Sequence, residues 1–170
     1  MFPVQPANLR TGRLFLRELR LDDAEEIFRL RSNKDVNDLI GRQSAQTVDD
    51  AIAFIQTIQD KAANEEVFLW AITLAGDPKL IGTVLFWNIE RENDKAELGY
   101  ELLPEHHGKG IMTEALRKVI EFGFKELGFK IITADTNERN DKSIKLLGAL
   151  GFELTGRDGE YLFYRLPAAG

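Results

Sequence analysis

The stretch EHHGKGIMTEAL, residues 105–116, gathers the residue types suited to holding an anion. Gly108 and Gly110 flank Lys109 directly before an amphipathic pattern that reads as a helix. Glycines there let the backbone approach a guest and take positive φ, while free N–H groups at a helix N-terminus face negative charge. Phosphate is the natural guest, and a plain tight strand-to-helix turn is the competing reading of the same two glycines. This is not a Walker loop, because Lys109 is followed by Gly110 and no glycine lies five residues before Gly108. Nor is it a dinucleotide fingerprint, since the third glycine is missing. His106 and His107 suggest zinc, but the chain has two histidines and no cysteine. Adjacent side chains in an extended segment also point apart, so no metal is expected.

The elements that must position this turn follow from periodicity. RLFLREL has the pattern of a first strand, and LDDAEEIFRLR that of a helix which Asp22 or Asp23 would cap. TVDDAIAFIQTIQ begins with Thr47 and Asp50 spaced as a capping box, then shows an apolar stripe through Ala51, Ile52, Ile55 and Ile58. Between these helices RSNKDVNDLIGR is polar and loop-like. VFLWAITL, AGDPK and LIGTVLFWNI form a hairpin pattern, and KAELGYELL a third strand after the break ERENDK. A helix over about 110–127, the strand KIITADT, a helix over about 141–150 and the strands FELTGR and YLFYRL complete the chain. Strands alternating with helices after a meander predict an α/β (α+β) fold: one mixed, mostly antiparallel sheet flanked by about four helices. Phe68, Trp70, Phe86 and Trp87 are expected in or near its core.

Length and composition narrow the function. At 170 residues the chain suits one domain, 1–170, with an ordered core over about 8–167 and loose ends at VQPAN and PAAG. A net charge of -6 gives no basic footprint for a nucleic-acid backbone and mildly favours cationic substrates. Without cysteine there is no disulfide, no thiolate metal ligand and no cysteinyl intermediate. No stretch approaches the ~20 apolar residues of a membrane span, and no leader pattern is present, so a cytoplasmic protein is expected.

ELGYELLPEHHGKGIMTEAL resembles the acetyl-CoA motif of the GNAT family of N-acetyltransferases, in the RimJ/RimL-like branch that acetylates ribosomal-protein N-termini and its small-molecule relatives. NERNDKSIKLLGALGFELTG resembles the second motif of that branch, and the opening LRTGRLFLRELRLDDAEEIF fits too, so the resemblance covers nearly the whole chain. It implies that main-chain groups around Leu102 and Leu103 pair with the pantetheine arm of acetyl-CoA. Backbone amides of His107, Gly108, Lys109, Gly110, Ile111, Met112 and Thr113 would hold the pyrophosphate, with the Lys109 charge assisting. Asn140 matches the family's asparagine near the pantetheine and also suits a helix cap. Two departures stand out: Glu105 occupies the place of a Gln or Arg, and Leu147 that of a tyrosine acid.

Acetyl transfer to an amine needs the neutral amine, so a base matters most for lysine or polyamine nitrogens with pKa near ~10.4. Glu97 and Glu101, four residues apart in one strand, share a face. By resemblance Glu97 is the first candidate base and Glu101 the second; a solvated strand glutamate is the bland reading of either. Ser143 matches the serine that the branch offers toward the CoA sulfur, though it also suits the first turn of a helix. Tyr100 is a lesser donor candidate. The resemblance thus implies direct acetyl transfer to a protein N-terminus or small amine in a ternary complex, by a monomer or homodimer. A non-catalytic acyl-CoA sensor is the alternative, and a generic phosphate binder, which would accept ATP or ADP equally, a third.

Overall fold

In the computed structural model, which describes residues 7–169, eight strands form one sheet. They are β1 (Leu9–Arg10), β2 (Leu14–Arg17), β3 (Phe68–Leu74), β4 (Leu80–Glu90), β5 (Lys95–Leu102), β6 (Ile131–Asn137), β7 (Glu153–Asp158) and β8 (Tyr161–Pro167). Their spatial order is β1-β2-β3-β4-β5-β6-β8-β7, antiparallel except where β5 meets β6. The mixed, mostly antiparallel sheet expected from the element order is therefore present. The ends expected to be loose fall partly on residues 1–6 and 170, outside the described residues.

Five helices flank the sheet: α1 (Ala24–Arg31), α2 (Lys34–Ile40), α3 (Val48–Ala63), α4 (Ile111–Lys125) and α5 (Asp141–Ala149). The count exceeds the expected four because the polar stretch between α1 and α3 is itself helical. Asn33 Oδ1 accepts from the Val36 N–H at 3.3 Å, and Gly41, at φ 68°, ends the helix. Polarity alone hid a short helix whose start and stop residues were both in place. Thr47 and Asp50 form their reciprocal capping box at 3.2 Å each way. Asp23 does not cap α1: a single 3-10 turn over Leu21–Asp23 leads in instead, and no side chain caps the start of α1 itself. The buried Asp23 carboxylate is claimed by Arg17, at 2.8 and 3.0 Å, and by the Arg20 N–H at 2.8 Å. A buried guanidinium outcompetes a helix end for a carboxylate because the charged pair must be compensated.

The core lies on both faces of the sheet. On one, α4 presents Leu116 and Val119 to Trp70, Phe86 and Ile132; on the other, Ile27 of α1 and Ile55 of α3 join Leu69 and Ala71. Gly123 lets α4 sit close, since a Cβ there would lie 2.7 Å from Phe86 Cζ. Phe68, Trp70 and Phe86 are fully buried, whereas Trp87 is 43% exposed. The register explains it: Trp87 is paired with Glu97, past the part of that face covered by α1 and α3.

Candidate active site

The site begins where two strands stop pairing. β5 and β6 run parallel over only three residue pairs, ending at Glu97↔Thr133, although β5 continues to Leu102. In the ladder to β4, the Leu103 N–H donates to the Ile81 carbonyl at 2.8 Å. Strand alternation then turns the peptide groups of Tyr100 and Leu102 into the gap. The Leu102 carbonyl there accepts from His107 Nε2 at 2.8 Å, so that nitrogen carries the proton, and Nδ1 faces Lys142 Nζ at 3.5 Å.

Beyond the gap, Gly108 and Gly110 take φ of 75° and 74°. A Cβ at Gly108 would meet nothing within 4 Å, so left-handed backbone, not crowding, calls for glycine there. Helix α4 starts at Ile111 with no side-chain cap. The Glu114 N–H already reaches the Gly110 carbonyl at 3.1 Å, which leaves the amides of Ile111, Met112 and Thr113 as the open donors of the first turn. These amides and the aligned helix dipole fit a diphosphate. Glu105 is turned to Arg29 at 2.8 Å; its own backbone amide and then Arg29 hold its carboxyl below the usual range.

A cleft of about 650 Å³ runs from α2 across this turn to α5. Leu102, His107, Gly108, Gly110, Ile111, Met112, Thr113, Asn140 and Ser143 line it, as do Tyr100 and Glu101; Leu103, Lys109 and Glu97 do not. Asn140 Oδ1 accepts from the Ser143 N–H at 3.2 Å, the expected cap. Ser143 is buried and its hydroxyl is hydrogen-bonded to that of Tyr100. Burial pushes the Tyr100 hydroxyl up to about 12, which keeps its proton in place near neutrality. Leu147 is wholly inside the core, so the hydroxyl facing Ser143 comes from β5.

The opposite face of β5 carries the carboxylates. Glu101 is gripped by Arg42 at 2.6 and 3.0 Å, while Arg42 Nε also donates to Asn37 Oδ1 at 2.8 Å. Among the described residues, Glu97 has one hydrogen-bond partner, Asn88 Nδ2, at 3.4 Å. Its carboxyl is raised, first by burial and then by the neighbouring charge of Asp135, itself raised by desolvation. Sequence reasoning missed Asp135 and Arg42. An acidic residue inside the strand KIITADT was a usable signal for the first; nothing local marks the second.

Hydroxyls on one side of a parted strand, carboxylates on the other and open helix-terminal amides at its end are suited to group transfer from a diphosphate-bearing donor. Residues 13–153 match the acetyltransferase (GNAT) domain family. An uncharacterized N-acetyltransferase of Bacillus subtilis, YoaA, is 34% identical over 96% of this chain and 90% of its own length. The chain belongs to the GNAT family and is an N-acetyltransferase using acetyl-CoA. Two solved structures share the fold. They are the ribosomal-protein-S5-alanine acetyltransferase of Vibrio fischeri (TM-score 0.82, 24% identity, 95% of this chain and 97% of that one) and Mycobacterium smegmatis RimJ in complex with CoA-disulfide (TM-score 0.82, 22% identity, 99% and 90%).

Proposed function

We propose that this enzyme passes the acetyl group of acetyl-CoA directly to a primary amine, a protein N-terminus or a small amine, within a ternary complex. The observation that carries the reading is the gap between β5 and β6, which joins the amide cradle to the Tyr100–Ser143 pair. The cradle amides hold the diphosphate, and the inward-facing peptide groups of Tyr100 and Leu102 pair with the pantetheine. As the amine nitrogen bonds to the acetyl carbon and the carbon–sulfur bond breaks, Tyr100 protonates the leaving thiolate, with Ser143 orienting its hydroxyl. Glu97 takes the amine proton. Three residues along β5 separate it from Tyr100, about 10 Å along the strand and on its other face, so the proton reaches it through a chain of waters. Glu101, with both oxygens held by Arg42, ties the α2 segment to β5.

The fold shared with a ribosomal-protein-S5-alanine acetyltransferase supports a protein N-terminus as one acceptor class, and that shared with RimJ in complex with CoA-disulfide supports the CoA donor. The lack of cysteine supports direct attack over a cysteinyl intermediate. CoA-thiol release should be followed with a thiol reagent, whose background is low in a cysteine-free protein, against N-terminal peptides, polyamines, aminoglycosides and amino acids. Turnover on one class is the expected result. Tight acetyl-CoA binding with no turnover on any class would replace transfer by sensing.

A further inference from the structure

The glycine turn is tied to the N-terminal hairpin through a single arginine. Arg13, in the turn between β1 and β2, donates from Nη1 to the Lys109 carbonyl at 2.9 Å and from Nε to Glu114 Oε1 at 2.8 Å. The other Glu114 oxygen accepts from the Arg13 backbone N–H at 3.0 Å and from the Thr11 hydroxyl. Thr11 is held in turn by the Leu14 N–H, at 3.0 Å, and Arg13 by its carbonyl, which accepts from the Ala75 N–H at 2.8 Å. One carboxylate in the first turn of α4 therefore gathers three donors from a hairpin anchored to β3.

This arrangement has a directional effect on the cradle. In a planar trans peptide the carbonyl and the following N–H point opposite ways. Drawing the Lys109 carbonyl to Arg13, which does not line the cleft, turns the Gly110 N–H away from Arg13, and Gly110 itself lines the cleft. The guanidinium also lies close, with Nη2 at 3.5 Å from where a Gly110 Cβ would be. We propose that Arg13, acting with Glu114 through the Lys109 carbonyl, is a positioning residue that presets the Gly110 amide for the donor's diphosphate. It lies 96 residues from the Lys109 carbonyl it holds and touches no reacting atom.

The inference rests on acetyl-CoA occupying the cradle, and the test separates the two. Acetyl-CoA and S-acetyl-pantetheine, which lacks the diphosphate and nucleotide, are compared as donors for wild type, Arg13→Ala, Arg13→Lys and Glu114→Gln. CoA binding is followed by calorimetry. With the preset amide lost, Arg13→Ala binds CoA about tenfold more weakly, the scale of one charge-assisted hydrogen bond. Its kcat/KM with S-acetyl-pantetheine stays within about twofold of wild type. Arg13→Lys and Glu114→Gln give smaller losses in the same donor-selective sense, and they decide the matter if Arg13→Ala melts too low to assay. Equal loss on both donors, or no loss on either, overturns the positioning role. A wild type that fails to bind CoA overturns the occupied cradle and this inference together.

Discussion

Glu97 and Glu101 stand on the same face of the same strand, and the fold gives them opposite surroundings. Glu101 borders the cleft but has both oxygens engaged by Arg42. Glu97 lies at the point where β5 and β6 part, nearly without partners, and keeps its proton to higher pH than an ordinary glutamate. A carboxylate saturated by a guanidinium has little left to offer an amine proton, whereas one with a single long amide contact beside a second carboxylate is a better base. Type and spacing made the two alike; their partners suit one to the proposed role of base and the other to that of a brace.

The sharpest way to break this contrast is Glu97→Gln. It should lower kcat/KM about 100-fold or more, the usual scale for losing a general base, and abolish the acidic limb of the pH profile. An unchanged profile would remove Glu97 from the proton path. On the other face of β5, Tyr100→Phe should lower kcat about tenfold with a smaller change in KM, since the lost proton serves only the departing thiolate. Equal losses in kcat and 1/KM would assign Tyr100 to binding.

Glu101→Gln should act mainly on stability. Leaving Arg42 without its carboxylate costs about 2 kcal/mol, read as a lower melting temperature, while kcat falls only a few-fold. A loss matching that of Glu97→Gln would reverse the two assignments. The smallest effect is expected from Asp135→Asn. Removing the charge that raises Glu97 should move the acidic limb of kcat/KM to lower pH. Stability has a sign as well: carboxyls raised in the folded state hold protons that the unfolded chain releases, so they weaken folding as pH rises through their titration. The Asn variant should therefore be relatively more stable on the alkaline side than on the acid side.

Much of this was legible in the residues. The β-rich composition of the hairpin strands, the Thr47–Asp50 box and the two glycines before α4 specify local conformation through contacts a few residues apart, so a linear pattern carries them. Asn140 announced the start of α5 in the same way. The short helix α2 was missed because its cap and stop were outweighed by polarity.

Function depends on meetings that no local pattern encodes. Arg42 reaches Glu101 across 59 residues and Tyr100 reaches Ser143 across 43. Such pairings are settled only when helices and strands pack, because burial decides which charges must find partners and which hydroxyls keep their protons. By itself the sequence determined most of the elements, their order and the glycine turn before α4, all set by near-neighbour physics. The tertiary structure alone decided that β5 and β6 separate after Glu97, that Arg42 grips Glu101 and not Glu97, and that Arg13 is brought against the turn.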